Sequence, residues 1–323
     1  MIVFGPVPSR RLGYSLGINH IPPKHCTYSC VYCQVGRTTS LEITRRYFYA
    51  LDQVLAEVDE KITERKKIGQ PIDYLTLVPD GEPTLDRNLG ALINGLKRYG
   101  IPVAVISNAS LIDKEELQDA LLQADWVSMK VDSPHEEDWR HINRPHHRLS
   151  LPSILSGILS FRSRFQGGLV TETMLVSGIN DREAAIRNLS AFLLELQPRK
   201  SYLSIPIRPP AESWVKPPPP APLQKIFQMI SDKVSFMDLL FESEPSDFSS
   251  TGNLVEDILA TTAVHPIREE ALQRMVRLAG ADWNIVEELI TTGKVSCIPY
   301  REEHFYFRNF SGYIQDNKRN KKE

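Results

Sequence analysis

Short apolar runs alternate with longer stretches of helical spacing along most of this chain. Leu12 to Ile21 (LGYSLGINHI) predicts a first strand, ended by Pro22 and Pro23. Leu51 to Lys67 then places Leu51, Val54, Leu55, Val58 and Ile62 on one helical face. Further strands are predicted at Tyr74 to Val78, Val103 to Ser107, Trp126 to Val131, Val170 to Val176 and Tyr202 to Ile207. The intervening helices are Asp86 to Tyr99, Lys114 to Gln123, Leu151 to Phe165, which opens on Pro152, and Arg182 to Glu195. Repeated β-then-α units imply a parallel sheet with right-handed crossovers. In parallel α/β sheets the functional residues gather at the C-terminal ends of the strands.

The pattern changes after the sixth strand. Arg208 to Pro222 (RPPAESWVKPPPPAP) is too rich in proline for a helix or sheet interior and reads as an extended connection. A helix at Leu223 to Lys233 and a strand around Phe236 to Phe241 complete the first domain, residues 1–243, and the composition then shifts at SEPSDFSSTG. Helices at Asn253 to Ala260, Arg268 to Leu278 and Ala281 to Thr291, followed by β runs at Val295 to Pro299 and His304 to Arg308, suggest a winged-helix-like domain over 244–312. Such a domain binds nucleic acid or protein, or merely docks, so its fold alone fixes no function. Residues 313–323 form a basic tail expected to be flexible.

A chain of 323 residues holds one large domain and a small appendage. Its net charge of -2 gives no whole-molecule attraction to nucleic acid, so local patches must carry any such contact. MIVFGPVPSRR lacks the pattern of a signal peptide, and no apolar run approaches the roughly 20 residues of a membrane span. Three clustered cysteines and one distant one make a poor disulfide framework and suit a reducing cytoplasm.

Those three, Cys26, Cys30 and Cys33, lie in HCTYSCVYCQVG at a C-x3-C-x2-C spacing that lets one loop bring three thiolates to a soft-metal centre. Zinc also takes thiolates, but a closed tetrahedral site wants a fourth ligand, and with Cys297 far away it would have to recruit His20 or His25. Asp80-Gly81-Glu82-Pro83-Thr84 follows the second strand; Gly81 permits close backbone approach, Pro83 fixes the turn and Glu82 supplies a carboxylate. Ser107-Asn108 ends the third strand, either as a turn or as a ligand contact. Alternation puts Lys130 and Asp132 on one face at the end of the fourth strand, where burial demands an ion pair or a polar ligand. Arg10, Arg11 and Arg37 flank the loop as surface charges or anion contacts, and Arg208 is a further candidate anchor for an anion. His135, His141, His146 and His147 lack the spacing of a compact metal site, and Met174 to Asn180 suits core packing or an apolar ligand face equally.

The cysteine loop, with Tyr32 directly before its last cysteine, resembles the signature of the radical S-adenosylmethionine (SAM) superfamily. That resemblance implies a partial (β/α)6 TIM-like barrel, a [4Fe-4S] cluster on Cys26, Cys30 and Cys33, and SAM on the remaining iron. It further implies that Gly81, Glu82 and Pro83 match a Gly-Gly-Glu-Pro motif that binds the SAM amino group, with Asp80 in place of the first glycine. Ser107 and Asn108 would then meet the SAM carboxylate or ribose, Asp132 or Ser133 the ribose, and Lys130 the carboxylate. VSMKVDSPHEEDWRHINRP is similar to a segment of the enzymes that form the tricyclic wyosine base in tRNA. The expected partners are a macromolecular substrate, with RNA favoured over protein, and a reductant such as flavodoxin or ferredoxin; no membrane is expected. A protein-modifying or glycyl-radical-activating enzyme is a second reading, and a non-catalytic metal-binding DNA regulator a third.

Overall fold

The structure, a computed structural model, describes residues 2–9, 11–232, 234, 236–240, 253–264, 266–300 and 303–309. The chain starts with an antiparallel hairpin, β1 (Val3–Ser9) and β2 (Gly13–Ile18). Two short parallel strands, β3 (His25–Cys26) and β4 (Ser40–Leu41), brace the cysteine loop. Then follow α1 (Leu51–Lys67), β5 (Tyr74–Leu77), a 3-10 turn at Pro83–Leu85 and α2 (Leu89–Lys97). Next come β6 (Val103–Ser107), α3 (Glu115–Leu121), β7 (Trp126–Lys130), α4 (Glu136–Asn143) and α5 (Leu151–Arg164). The domain is completed by β8 (Gly168–Met174), α6 (Glu183–Leu196), β9 (Lys200–Ser204), α7 (Pro220–Ser231) and β10 (Met237–Leu239).

The main sheet runs β1-β2-β5-β6-β7-β8-β9-β10, and every neighbouring pair after β1-β2 is parallel. Six helical crossovers therefore link seven parallel strands in a sheet with two free ends, which is the expected partial (β/α)6 barrel. The hairpin partner β1, the helix α4 and the cysteine-loop pair were not among the predicted elements. Nor was the start of α7 at Pro220: proline is tolerated there because the first helical N–H groups have no partner within the helix. The expected boundary at SEPSDFSSTG and the basic tail lie outside the described residues.

Strand residues alternate faces, and the two faces have different duties. Leu75, Leu77, Val103, Val105, Val127, Met129 and Leu203 are buried against the surrounding helices in the main core. On the opposite face Ala104, Trp126, Val170 and Tyr202, with Leu12 from the hairpin and Leu240, fill the N-terminal end of the barrel. Toward the C-terminal end the inward positions become polar: Thr76, Ser128, Lys130, Glu172 and Ser204. An apolar plug below a polar opening confines the site to one end of the strands.

Beyond the barrel, α8 (Leu254–Val264), β11 (Ile267–Arg268), α9 (Glu269–Leu278), α10 (Asn284–Thr291), β12 (Val295–Tyr300) and β13 (Glu303–Arg308) enclose a separate core around Ile258, Leu272, Val286 and Val295. The antiparallel sheet has the order β11-β13-β12. Cys297 belongs to this unit, opposite Tyr306, and is not a partner of the cysteine loop. The unit contacts the barrel through α8 and β1. Among the described residues no helix is long and apolar enough to cross a membrane.

Neighbouring leucines on α6 test how the crossovers are held. Leu193 is fully buried and Leu194 is 42% exposed. Leu193→Ala should cost about 2–5 kcal/mol, for lost burial plus a cavity, whereas Leu194→Ala should stay within about 0.5 kcal/mol; urea midpoints at constant m-value measure both.

Candidate functional site

The cysteine loop is stitched to the barrel on several sides. Asp80 O accepts from Lys24 N at 2.9 Å, and His25 O accepts from Glu82 N at 3.0 Å, so the Asp80–Glu82 turn grips the entry to the loop. On the other flank Ser29 N donates to Asn143 O at 3.0 Å and Val31 N to Ile142 O at 2.9 Å, where α4 ends on left-handed Arg144. His146 N donates to Thr27 O, and Glu212 N to Val31 O. Arg37 forms a two-pronged ion pair with Glu212, both bonds 2.9 Å, and Arg144 joins the same carboxylate. Val31 packs with Ile142, Val176, Ile179 and Val215, so the Met174 to Asn180 segment lies in the apolar support beneath the loop.

Gly81 is required by this contact. A Cβ at that position would lie 2.0 Å from His25 O, so the turn and the loop can touch only where a side chain is missing. Glu82 is 1% exposed and its carboxylate accepts four hydrogen bonds: from Thr84 N (3.1 Å), Thr84 Oγ1 (2.6 Å), Ser107 Oγ (2.7 Å) and Asn108 N (2.8 Å). Burial raises its pKa, and those donors oppose the shift. In this structure the Glu82 carboxylate thus ties the end of β5 to the end of β6, while its backbone holds the loop. Pro83 is buried, and its carbonyl faces His20 Nε2 at 3.4 Å.

The predicted residues fall into two groups, one beside each of two sulfurs. Asn108 Nδ2 lies 3.6 Å from Cys26 Sγ and 2.8 Å from Thr27 Oγ1, which brings the Glu82–Ser107–Asn108 knot to the first cysteine. Beside Cys30, Tyr32 donates its hydroxyl to Asp132, and Asn143 Nδ2 donates to Asp132 Oδ2 at 2.6 Å. Lys130 Nζ sits 3.1 Å from Glu172 Oε1, 4.0 Å from Asp132 Oδ1 and 4.9 Å from the centre of the Tyr32 ring. Arg11 completes this buried network as a second partner of Glu172. Burial pulls the Lys130 pKa down, but Glu172 and Asp132 more than offset it; in Glu172 the effect of burial is likewise overcome, by Lys130 and Arg11, and the pKa falls. The expected ion pair at Lys130 is present, with Glu172 as its closer acid. Ser133 points elsewhere: its hydroxyl accepts from His135 N at the turn into α4.

Neither histidine proposed as a fourth zinc ligand turns to the sulfurs. Buried His20 lies between the carbonyls of Ile18 and Pro83, and His25 Nδ1 is 2.6 Å from Glu42 Oε1. Among the described residues no three His, Cys, Asp or Glu side chains gather around a single ion position. His135, His141, His146 and His147 are spread along the rim, with His146 stacked on His147 at 4.4 Å and His141 5.5 Å from Trp214. Arg208 reaches Gln34 Oε1 at 3.0 Å.

The donor set suits a cationic multi-iron group. Burial, reinforced by the Glu82 carboxylate, pushes the Cys26 thiol well up; burial and Asp132 push Cys30 up to about 12; burial raises Cys33 against the pull of Lys24. Thiols in such surroundings become thiolates when a metal supplies the missing positive charge. Sequence reasoning missed Asn143 as a neighbour of sulfur, and it missed Glu172, Glu212 and Lys24. Lys24 was legible from its place beside the loop; the acids owe their roles to pairings 161 and 175 residues apart.

Two measurements test this architecture. Gly81→Ala should displace the loop and lower the iron and sulfide bound after anaerobic reconstitution at least several-fold, with far-UV circular dichroism unchanged. His20, whose pKa burial lowers from 6.5 to about 4, stays neutral in the fold while the unfolded chain takes up a proton below pH 6.5. Its contribution is therefore present above pH 6.5 and is lost as pH falls toward 4, a change on the order of 3 kcal/mol. Urea unfolding between pH 7 and 4 should show a flatter profile for His20→Gln than for the wild-type chain.

Comparison with known proteins agrees with this geometry. A UPF0026 protein of Methanocaldococcus jannaschii is 45% identical over 310 residues, which are 95% of this chain and 96% of that protein. A radical SAM methyltransferase from Sphaerobacter thermophilus superposes with a TM-score of 0.55 at 14% identity, covering 70% of this chain and 66% of that one. TYW1 with a lysine-pyruvate adduct bound superposes with a TM-score of 0.53 at 15% identity, covering 70% of this chain and 76% of that one. These two likenesses show the fold. The radical SAM superfamily profile matches residues 21–189, which include the cysteine loop, the Asp80–Thr84 turn and the Lys130–Asp132 strand end. The chain thus belongs to the radical SAM superfamily and is an enzyme of that family, whose cofactors are a [4Fe-4S] cluster and S-adenosylmethionine.

Proposed function

We propose that this enzyme modifies a base in tRNA or another RNA, with Cys26, Cys30 and Cys33 holding the cluster. The chemistry supplied by the bound cofactors is reductive cleavage of the SAM sulfonium to a 5′-deoxyadenosyl radical able to abstract hydrogen from the substrate. The chain's own part is positional. Backbone bonds from Asp80, Glu82, Ile142 and Asn143 hold the loop at the strand ends. Gly81, Glu82, Pro83, Ser107 and Asn108 shape the wall beside Cys26, while Tyr32, Lys130 and Asp132, with Ser133 at the following turn, shape the wall beside Cys30. Lys130 and the backbone of the Asp80–Glu82 turn remain our candidates for SAM contacts. The apolar plug below keeps water from entering through the other end of the barrel.

The observation that carries the RNA reading is the rim. Around the loop stand Arg37, Arg46 and Arg144, with side chains 66%, 48% and 40% exposed, although the whole chain carries a net charge of -2. Exposed aromatic rings lie among them: Tyr47, 66% exposed and 5.9 Å from the Arg87 guanidinium, and Trp214, 42% exposed. Cations that meet phosphates and rings on which bases stack are what a single-stranded or flipped-out nucleotide requires. We read the C-terminal unit as winged-helix-like and as a recruiting module. The non-catalytic regulator falls with the family assignment.

Anaerobic incubation with SAM, a reductant and separate RNA and protein fractions, followed by mass spectrometry, tests the reading. A modified nucleoside with matching 5′-deoxyadenosine is expected; modification confined to the protein fraction overturns it. Tyr47→Ala combined with Arg87→Ala should weaken RNA binding roughly tenfold, on the scale of one lost stacking contact, and leave substrate-free SAM cleavage unchanged.

A further inference from the structure

Two of the three loop sulfurs have an amide donor of their own. Asn143 Nδ2 lies 3.4 Å from Cys30 Sγ, and Asn108 Nδ2 lies 3.6 Å from Cys26 Sγ. Both amides are held in place. The Asn143 backbone carbonyl accepts from Ser29 N, and its amide nitrogen faces Asp132 Oδ2 at 2.6 Å and Tyr32 Oη at 3.5 Å. Turning that amide over would set an oxygen against a carboxylate, so the network places the N–H side on the sulfur. Asn108 is fixed by Thr27 Oγ1 on its amide nitrogen and by Ser110 N, which donates to its Oδ1 at 2.9 Å. Asn143 is the more buried of the two, 2% exposed, whereas Asn108 is half-buried.

We propose that Asn143 and Asn108 are positioning residues that set the reduction potential of the cluster held by Cys30 and Cys26. Taking up one electron adds negative charge, part of which resides on the cysteine sulfurs. An N–H dipole aimed at such a sulfur favours the reduced form, and hydrogen bonds to sulfur are among the features that tune these potentials. Asn143 acts more strongly than Asn108, being closer and shielded from water, where the same bond is electrostatically stronger. The step transfers one electron from an external dye and breaks no bond. The inference rests on the reading of the three cysteines as the cluster ligands.

The test is an anaerobic dye-mediated redox titration of the reconstituted full-length protein, followed by electron paramagnetic resonance, with iron and sulfide measured on each sample. Asn143→Leu should make reduction roughly tenfold less favourable, a negative shift of about 59 mV for one electron. Asn108→Ala should shift the midpoint in the same direction by less, and the double variant by about the sum. Ser110→Ala, which removes a hydroxyl beside Thr27 but no donor to sulfur, should not move it. Fully loaded variants with the wild-type midpoint overturn the proposal. If Asn143→Leu does not load, the titration of Asn108→Ala decides: a negative shift supports the proposal and an unmoved midpoint overturns it. A wild-type chain that loads no four-iron cluster sinks the cysteine reading itself, and this inference with it.

Discussion

Contact between the Asp80–Glu82 turn and the cysteine loop is the constraint on which the site depends. A loop carrying three ligands and an open coordination position must be ordered before it can present them, and ordering costs conformational entropy at each residue. Here the cost is offset by backbone bonds at both flanks and by a backbone approach that only Gly81 allows. Glu82 makes the arrangement rigid. A buried carboxylate without a cation is unfavourable unless its lone pairs are filled, and four donors from two strand ends fill them. The departure from the family motif, Asp80, takes part in the same structure: burial raises its pKa to about 7 against the opposing pull of Asn19, Lys24 and Arg308. Arg308 belongs to β13, so the C-terminal unit contributes charge to the turn that grips the loop.

Inside the barrel, every charge found near the site has a partner. Lys130 and Arg11 share Glu172, and Asp132 receives Tyr32, Asn143 and the backbone N–H of Met174. Buried ion pairs of this kind seldom add net stability over an apolar replacement, yet leaving one member unpaired is costly. Their value here is geometric. They hold Tyr32 and Asn143 against Cys30 and fix Lys130 between Glu172, Asp132 and the Tyr32 ring. The rim uses charge differently: Arg37 and Arg144 share Glu212 and Arg46 pairs with Glu42 through side chains that are 66%, 40% and 48% exposed, and ion pairs so exposed contribute little to folding.

Much of this protein could be read directly from its residues. Strand and helix alternation, the parallel sheet and the cluster-type spacing of Cys26, Cys30 and Cys33 are properties of short windows, and local periodicity and spacing are enough to express them. The edge strand β1 was missed because its run, VFGPVPS, is broken by two prolines, and α4 because its charged surface carries only Trp139 and Ile142 as apolar anchors.

Only the folded chain decided what those residues touch. Glu82, read from its motif as a ligand carboxylate, is enclosed by Thr84, Ser107 and Asn108; Ser133 turns to accept from the backbone N–H of His135 just before α4; Asn143, noted in the sequence only as part of a segment similar to the wyosine-forming enzymes, lies 3.4 Å from a sulfur. Spacing along the chain determines which side chains share a strand face or a helical turn. Contacts such as Cys30 with Asn143, 113 residues apart, depend on how several crossovers stack, and no local pattern records that.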